Sequence, residues 1–215
     1  MKRVLCISLF VMASLGVQAQ NSQKAKNYLN EVTKTINGYK NVSLGFSYVQ
    51  VDKSTGNSTK ELNGTVDIQK DLYYLDFMGV KRIFDGKKVY TISSEDKEVT
   101  VSTYNANSKD NILPSQLLTF FSTGYNLSWD ILQNNKGKQI QYIKLVPTDK
   151  KSGIKEILLG IDNKTKAIYN KIQVNKDGSK STLTVNSFKT NQTLSKNHFT
   201  FTASNYSDYY INNID

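Results

Sequence analysis

The chain has 215 residues, enough for one domain with a large core, and 28 basic residues against 18 acidic ones, a net charge of +10. The charge is almost all lysine, spread through turn-like stretches such as Lys136-Gly137-Lys138 and Lys150-Lys151. It forms no basic-aromatic motif, so nucleic acid is not an expected partner, whereas scattered lysine guards sheet edges and suits an anionic membrane surface.

The N-terminus reads as a secretory signal peptide over residues 1–19. Lys2 and Arg3 precede an apolar run from Val4 to Leu15, and Val17-Gln18-Ala19 places small residues before a cleavage point at Gln20. The run is short for a membrane span, the competing reading. Cys6, the only cysteine, lies inside it rather than at the cleavage point, so no lipid anchor is expected there. Residues 20–215 would form a cysteine-free exported domain, stabilised by core burial alone. Loss of Lys2 and Arg3 lowers the net charge to +8.

From Asn21 to Gly38 the pattern is helical. Ala25, Tyr28, Leu29, Val32 and Ile36 make one apolar stripe, and Gly38 suits a C-cap. Beyond it the period switches to two. Val42, Leu44, Phe46 and Tyr48 alternate with small polar residues as one strand. Val66 and Ile68 begin another, Tyr73, Leu75 and Phe77 share a face of a third, and Asp85-Gly86 splits Ile83–Ile92 into a tight hairpin. Val99 and Val101 continue the ladder.

Residues 111–125 interrupt the strands. Pro114 stands near a helix start, Leu117, Leu118, Phe120 and Phe121 follow, and Gly124 marks a stop. This short apolar helix either fills the core or covers a cavity. Trp129 and Ile131 then share a strand face. Further strands are expected at 140–146, 154–161, 167–174, 181–188 and 198–202, separated by short polar turns such as Asn163-Lys164 and Asp177-Gly178. Together they describe an antiparallel meander in a single domain.

The inventory is poor in catalytic groups. With Cys6 removed, His198 alone cannot build a Cys/His zinc site or nucleophile pair. It sits in an expected strand beside Phe199, where a structural role fits, and no Gly-x-Ser-x-Gly elbow or glycine-rich phosphate loop accompanies it. Glu95-Asp96 lies in a lysine-mixed turn as solvated charge. No metal, cofactor or enzymatic reaction is expected. Thirteen tyrosines and nine phenylalanines on a curved sheet point instead to an apolar binding volume.

From about Asn41 to Thr202 the order of motifs resembles the LolA family, periplasmic carriers of outer-membrane lipoproteins. Ser43–Gln50 is similar to the family's opening strand, with its aromatic-x-Gln ending, and Gly64-Thr65-Val66-Asp67-Ile68 to its second strand. Ile83–Tyr90 resembles its Asp-Gly-Lys hairpin. Leu145-Val146-Pro147-Thr148 resembles its Leu-x-Pro-Lys turn, with Thr148 in place of lysine. Phe188 with Asn191, then Phe199 with Phe201, resemble its ending.

The resemblance implies a mainly β, α+β fold, an incomplete, strongly curved antiparallel barrel closed by a helical lid, whose apolar cavity takes acyl chains. The alternation and the family positions together nominate Phe46, Tyr48, Tyr73, Leu75 and Phe77 from strands, and Leu117, Leu118 and Phe121 from the lid. The alternative is that these side chains fill a core. The implied partners are acylated lipoproteins, an inner-membrane ABC-type extraction complex and an outer-membrane acceptor where one exists, with the protein a monomer in the periplasm after cleavage near Ala19. A lipid- or lipoprotein-binding sensor on the same fold is the alternative role. The family's lid-latching arginine falls at Lys70, which keeps the charge but lacks the planar fork. Lys70 is thus either a weaker latch or a solvated turn residue.

Overall fold

The computed structural model describes residues 2–105 and 118–214, with side chains from residue 20 onward. The nominated Pro114 and Leu117 lie outside the described residues. Among the described residues a long helix, α1 (Lys2–Asn37), is followed by a twelve-stranded sheet. Strands β1 (Val42–Val51), β2 (Leu62–Gln69), β3 (Leu72–Phe77), β4 (Val80–Phe84), β5 (Lys88–Ser93) and β6 (Glu98–Thr103) form a first meander. A second comprises β7 (Tyr125–Asn135), β8 (Lys138–Pro147), β9 (Ile154–Asp162), β10 (Ile168–Asn175) and β11 (Lys180–Thr190), and a short β12 (Tyr210–Asn213) follows. β11 returns to pair with β1, so the order across the sheet is β12-β6-β5-β4-β3-β2-β1-β11-β10-β9-β8-β7. All neighbours are antiparallel except β12, which lies parallel to β6.

The sheet curls into an incomplete barrel. Phe84 on β4 and Leu145 on β8 are seven strand spacings apart, roughly 34 Å in a flat sheet at about 4.8 Å per strand. Yet both belong to one core with Ala25, Leu29, Val32 and Ile36 of α1, a helix only about 10 Å across. Only strong curvature around the helix joins them. Register shifts interrupt the β1–β11, β9–β10 and β7–β8 ladders, and such bulges bend and twist a strand.

The buried stripe of α1 is the one expected from the sequence, but the helix begins at Lys2 rather than Asn21. Between the apolar run and the stripe stand the helix formers Gln18, Ala19, Gln20, Gln23 and Lys24, with no proline to stop the helix. It ends where the Gly38 N–H donates to the carbonyls of Lys34 and Thr35, at 3.1 and 3.2 Å. The Met78-Gly79 and Lys136-Gly137 hairpins carry positive φ at both turn residues, the mirror-image turn that matches strand twist.

Three sequence expectations need correction. Trp129 and Ile131 do not share a face: between Trp129 and Leu132 two residues, Asp130 and Ile131, face the single residue Tyr142, and this one extra residue turns Ile131 out to 54% exposure. The buried amide of Gln141 explains why this bulge persists. Its Nε2 donates to the carbonyls of Asp130 and Ile131, at 2.9 and 3.3 Å. Residues 198–202 are not a strand. The His198 N–H donates to the Ser195 carbonyl and the Thr200 N–H to that of Asn197, both turn-like bonds of 3.1 Å. Their apolar alternation is used differently: Phe201 stacks on Tyr90 and Tyr206 on the convex face, with centroids 4.6 and 5.4 Å away. Finally, the parallel β12 was not anticipated, because Tyr210–Asn213 is short and polar. Just before it, Tyr206 and Tyr209 pack against a second apolar cluster formed by Ile83, Ile92, Val99 and Val101.

Candidate functional site

Between the concave face and the segment leading into β7 lies a cavity of about 290 Å³. On β1, Leu44, Phe46 and Tyr48 face it by simple alternation. Val66 and Ile68 on β2 and Leu75 and Phe77 on β3 extend the wall, in register with them. Leu183 and Val185 on β11 stand opposite Tyr48 and Phe46. Leu159 and Ile168 contribute from β9 and β10. Leu118 and Phe120 cover it from the segment before β7, where Phe120–Ser122 forms one 3₁₀ turn. Phe46 and Phe77 meet at a ring distance of 5.3 Å, so the aromatic wall is continuous.

The structure thus brings Phe46, Tyr48, Leu75, Phe77 and Leu118 around one cavity. Tyr73 and Phe121 lie elsewhere. Tyr73 is buried and packs on Phe84 at 5.9 Å, and burial raises its phenol pKa above the usual tyrosine value. Phe121 is only 2% exposed, and beside Leu29, Tyr125 and Leu127 it borders a separate, mixed polar pocket. Lys70 is exposed at φ 56 in the β2–β3 turn and makes no hydrogen bond or ion pair among the described residues. It borders a pocket of about 220 Å³ next to Ile36, Tyr39 and Leu118.

Sequence reasoning did not nominate several lining residues, among them Leu44, Val66, Leu183 and Val185, and it missed Lys171, the only charged one among the described residues. Counting by twos from Ile168 puts it on the opposite face. The β-bulge makes Tyr169 the extra residue, so Ile168 pairs with Ile161 and Lys171 with Leu159. Ile161 and Leu159 both point into the core, and their partners follow. Lys171 Nζ lies 5.1 Å from the centre of the Phe120 ring. Burial lowers its ammonium pKa below the usual lysine value. Nothing in the sequence signals a bulge at Tyr169.

The single histidine is remote from the cavity. His198 Nε2 lies 2.7 Å from Asp67 Oδ2, and its ring packs on Tyr74 and Phe199 on the convex side. Among the described residues no three His, Cys, Asp or Glu side chains gather to hold a metal ion.

A curled sheet wrapped on a helix, with an apolar cavity on its concave face, defines a binding fold. The chain belongs to the LolA family, described as the outer membrane lipoprotein carrier protein LolA, whose profile matches residues 39–202. No curated protein matches it in sequence. Among solved structures it is similar to an uncharacterized conserved protein from Thermus thermophilus, at 12% identity and a TM-score of 0.61, over 89% of this chain and 99% of that one. LprF from Mycobacterium bovis matches at 12% identity and a TM-score of 0.51, over 82% of this chain and 98% of the other. A LolA superfamily protein from Nitrosomonas europaea matches at 9% identity and a TM-score of 0.38, over 82% and 97%. Identities this low speak to fold alone.

Proposed function

We propose that this protein is a periplasmic carrier that shields the acyl chains of lipoproteins in its concave cavity and moves them from the inner to the outer membrane. The observation that carries the reading is the cavity itself, walled by Leu44, Phe46, Leu75, Phe77, Leu183 and Val185. At about 30 Å³ per methylene, close to the share of a liquid water, its 290 Å³ holds roughly ten chain carbons. At about 0.8 kcal/mol each they supply roughly 8 kcal/mol, the free energy of a micromolar complex before association costs. That is enough to make an acyl chain soluble and little enough to let it leave without an energy source. Further chains of a triacylated cargo require the cover around Leu118 and Phe120 to open.

In this reading residues 1–19 direct export and are removed near Ala19. The loaded partner upstream is an inner-membrane ABC-type extraction complex, and the recipient is the outer membrane or an acceptor in it. Among the described residues no helix is long and apolar enough to cross a membrane, which is compatible with a carrier that works between membranes. The test is transfer of a labelled lipoprotein from inner-membrane vesicles to outer-membrane vesicles. The carrier reading expects transfer that depends on this protein and falls when Leu75 is replaced by Glu, because a carboxylate in an apolar cavity costs several kcal/mol. Binding without transfer would instead mark a sensor.

A further inference from the structure

Lys171 is placed against its chemistry. A lysine in an apolar cavity loses hydration, and neither hydrogen bond nor ion pair replaces it among the described residues. Among the described residues no acidic side chain lines the cavity. The Phe120 ring at 5.1 Å is a partial substitute for water, toward the outer limit of cation–π attraction. Nor is the lysine there by default. Strict alternation along β10 would carry it to the opposite face, and the bulge at Tyr169 turns it inward opposite Leu159. An unpaired cation weakens a core, so this placement is unexplained by folding and complements an anion.

We propose that the cavity selects amphiphiles with an anionic head, a carboxylate or phosphate whose oxygens accept hydrogen bonds from the Lys171 ammonium, while the acyl chain lies along Leu75, Phe77 and Leu183. The inference rests on the reading of the cavity as an acyl-chain site and adds a second ligand class to it, single-chain anionic lipids beside the lipoprotein, whose acyl chains hang on neutral ester and amide groups. A bound anion restores the stabilisation that burial removed from the ammonium. A neutral head leaves the cation unpaired.

The test is displacement of a fluorescent acyl probe from the full chain by dodecanoate, dodecyl phosphate and dodecanol, three ligands of equal chain length. The parent should bind at least one of the anions about tenfold or more tightly than dodecanol, the scale of a charge-assisted hydrogen bond in a dry site. K171M should lose that preference and bind dodecanol at least as well, whereas K171R should keep it. The order of the two anions separates a free fatty acid from a lipid phosphate as the source. An unchanged preference in K171M, or a parent that binds dodecanol as tightly as the anions, overturns the proposal and leaves the acyl site standing. If none of the three displaces the probe, both fall.

Discussion

Gly64 lies directly beneath the ring of Phe46, its cross-strand partner. A methyl group built on Gly64 would meet Phe46 Cζ at 2.5 Å, Phe77 Cδ2 at 2.8 Å and the Asp76 carbonyl oxygen at 3.0 Å. The missing side chain lets two aromatic rings from neighbouring strands close over the backbone and form one wall of the cavity.

Gly64→Ala separates two opposing effects. In open space alanine would stabilise a strand by about 0.5–1 kcal/mol through its smaller loss of backbone freedom. Here the overpacking cost, about 1–3 kcal/mol, exceeds that gain because the Asp76 carbonyl cannot move aside. The variant should unfold at lower denaturant concentration and bind an acyl probe more weakly, as the rings are pushed into the cavity. Equal or greater stability would mean that the rings shift freely.

Tyr28 anchors α1. Its hydroxyl donates to Asn163 Oδ1 at 3.1 Å, its ring meets Trp129 edge-on at 5.2 Å, and Lys166 Nζ lies 4.0 Å from the ring centre. Burial, aided by the negative charges of Asp162 and Glu31, pushes its pKa from 10.0 up to about 12. Between these values the unfolded chain releases the proton while the folded chain keeps it. Stability is therefore fully present below 10 and falls as pH rises toward about 12. Lys171 has the opposite sign, since its lowered pKa makes stability rise with pH, but that rise ends near the ordinary lysine value of about 10.4. Denaturation measured across the upper window should show a steeper fall for the parent than for Tyr28→Phe. Parallel curves would contradict the assignment.

The His198–Asp67 contact ties the tail to the convex face of β2, with each side chain 26% exposed. His198→Ala should cost about 1–3 kcal/mol, concentrated in the tail, because it leaves a partly buried carboxylate without its partner. Hydrogen exchange should rise over 192–209 and stay unchanged in β1–β3. If exchange in the tail does not move, the Phe201–Tyr206 stack holds it alone.

Much of the frame is legible in the chain. The stripe from Ala25 to Ile36 and the alternation at Phe46, Tyr48, Leu75 and Phe77 are local patterns, and local patterns set which face a residue takes. Two kinds of feature escaped. Bulges at Tyr169 and at Asp130-Ile131 add a residue without any change in composition, so counting by twos fails beyond them and assigns Lys171 and Ile131 to the wrong faces. The tail escaped because the Phe199/Phe201 spacing suits a strand as well as a turn, and only the cluster around Ile92 and Val99, more than ninety residues away, decides between them.

In the proposed carrier an acyl chain of the lipoprotein lies against Phe77 and not elsewhere on the sheet. Photo-crosslinking tests it most directly. Benzoylphenylalanine is placed at Phe77, which lines the cavity, or at Ile131, which is 54% exposed, and each protein is irradiated with a lipoprotein carrying radiolabelled palmitate. Capture of the labelled chain is expected at position 77 and none above background at 131. Equal capture at both positions, or capture at 131 alone, would contradict it.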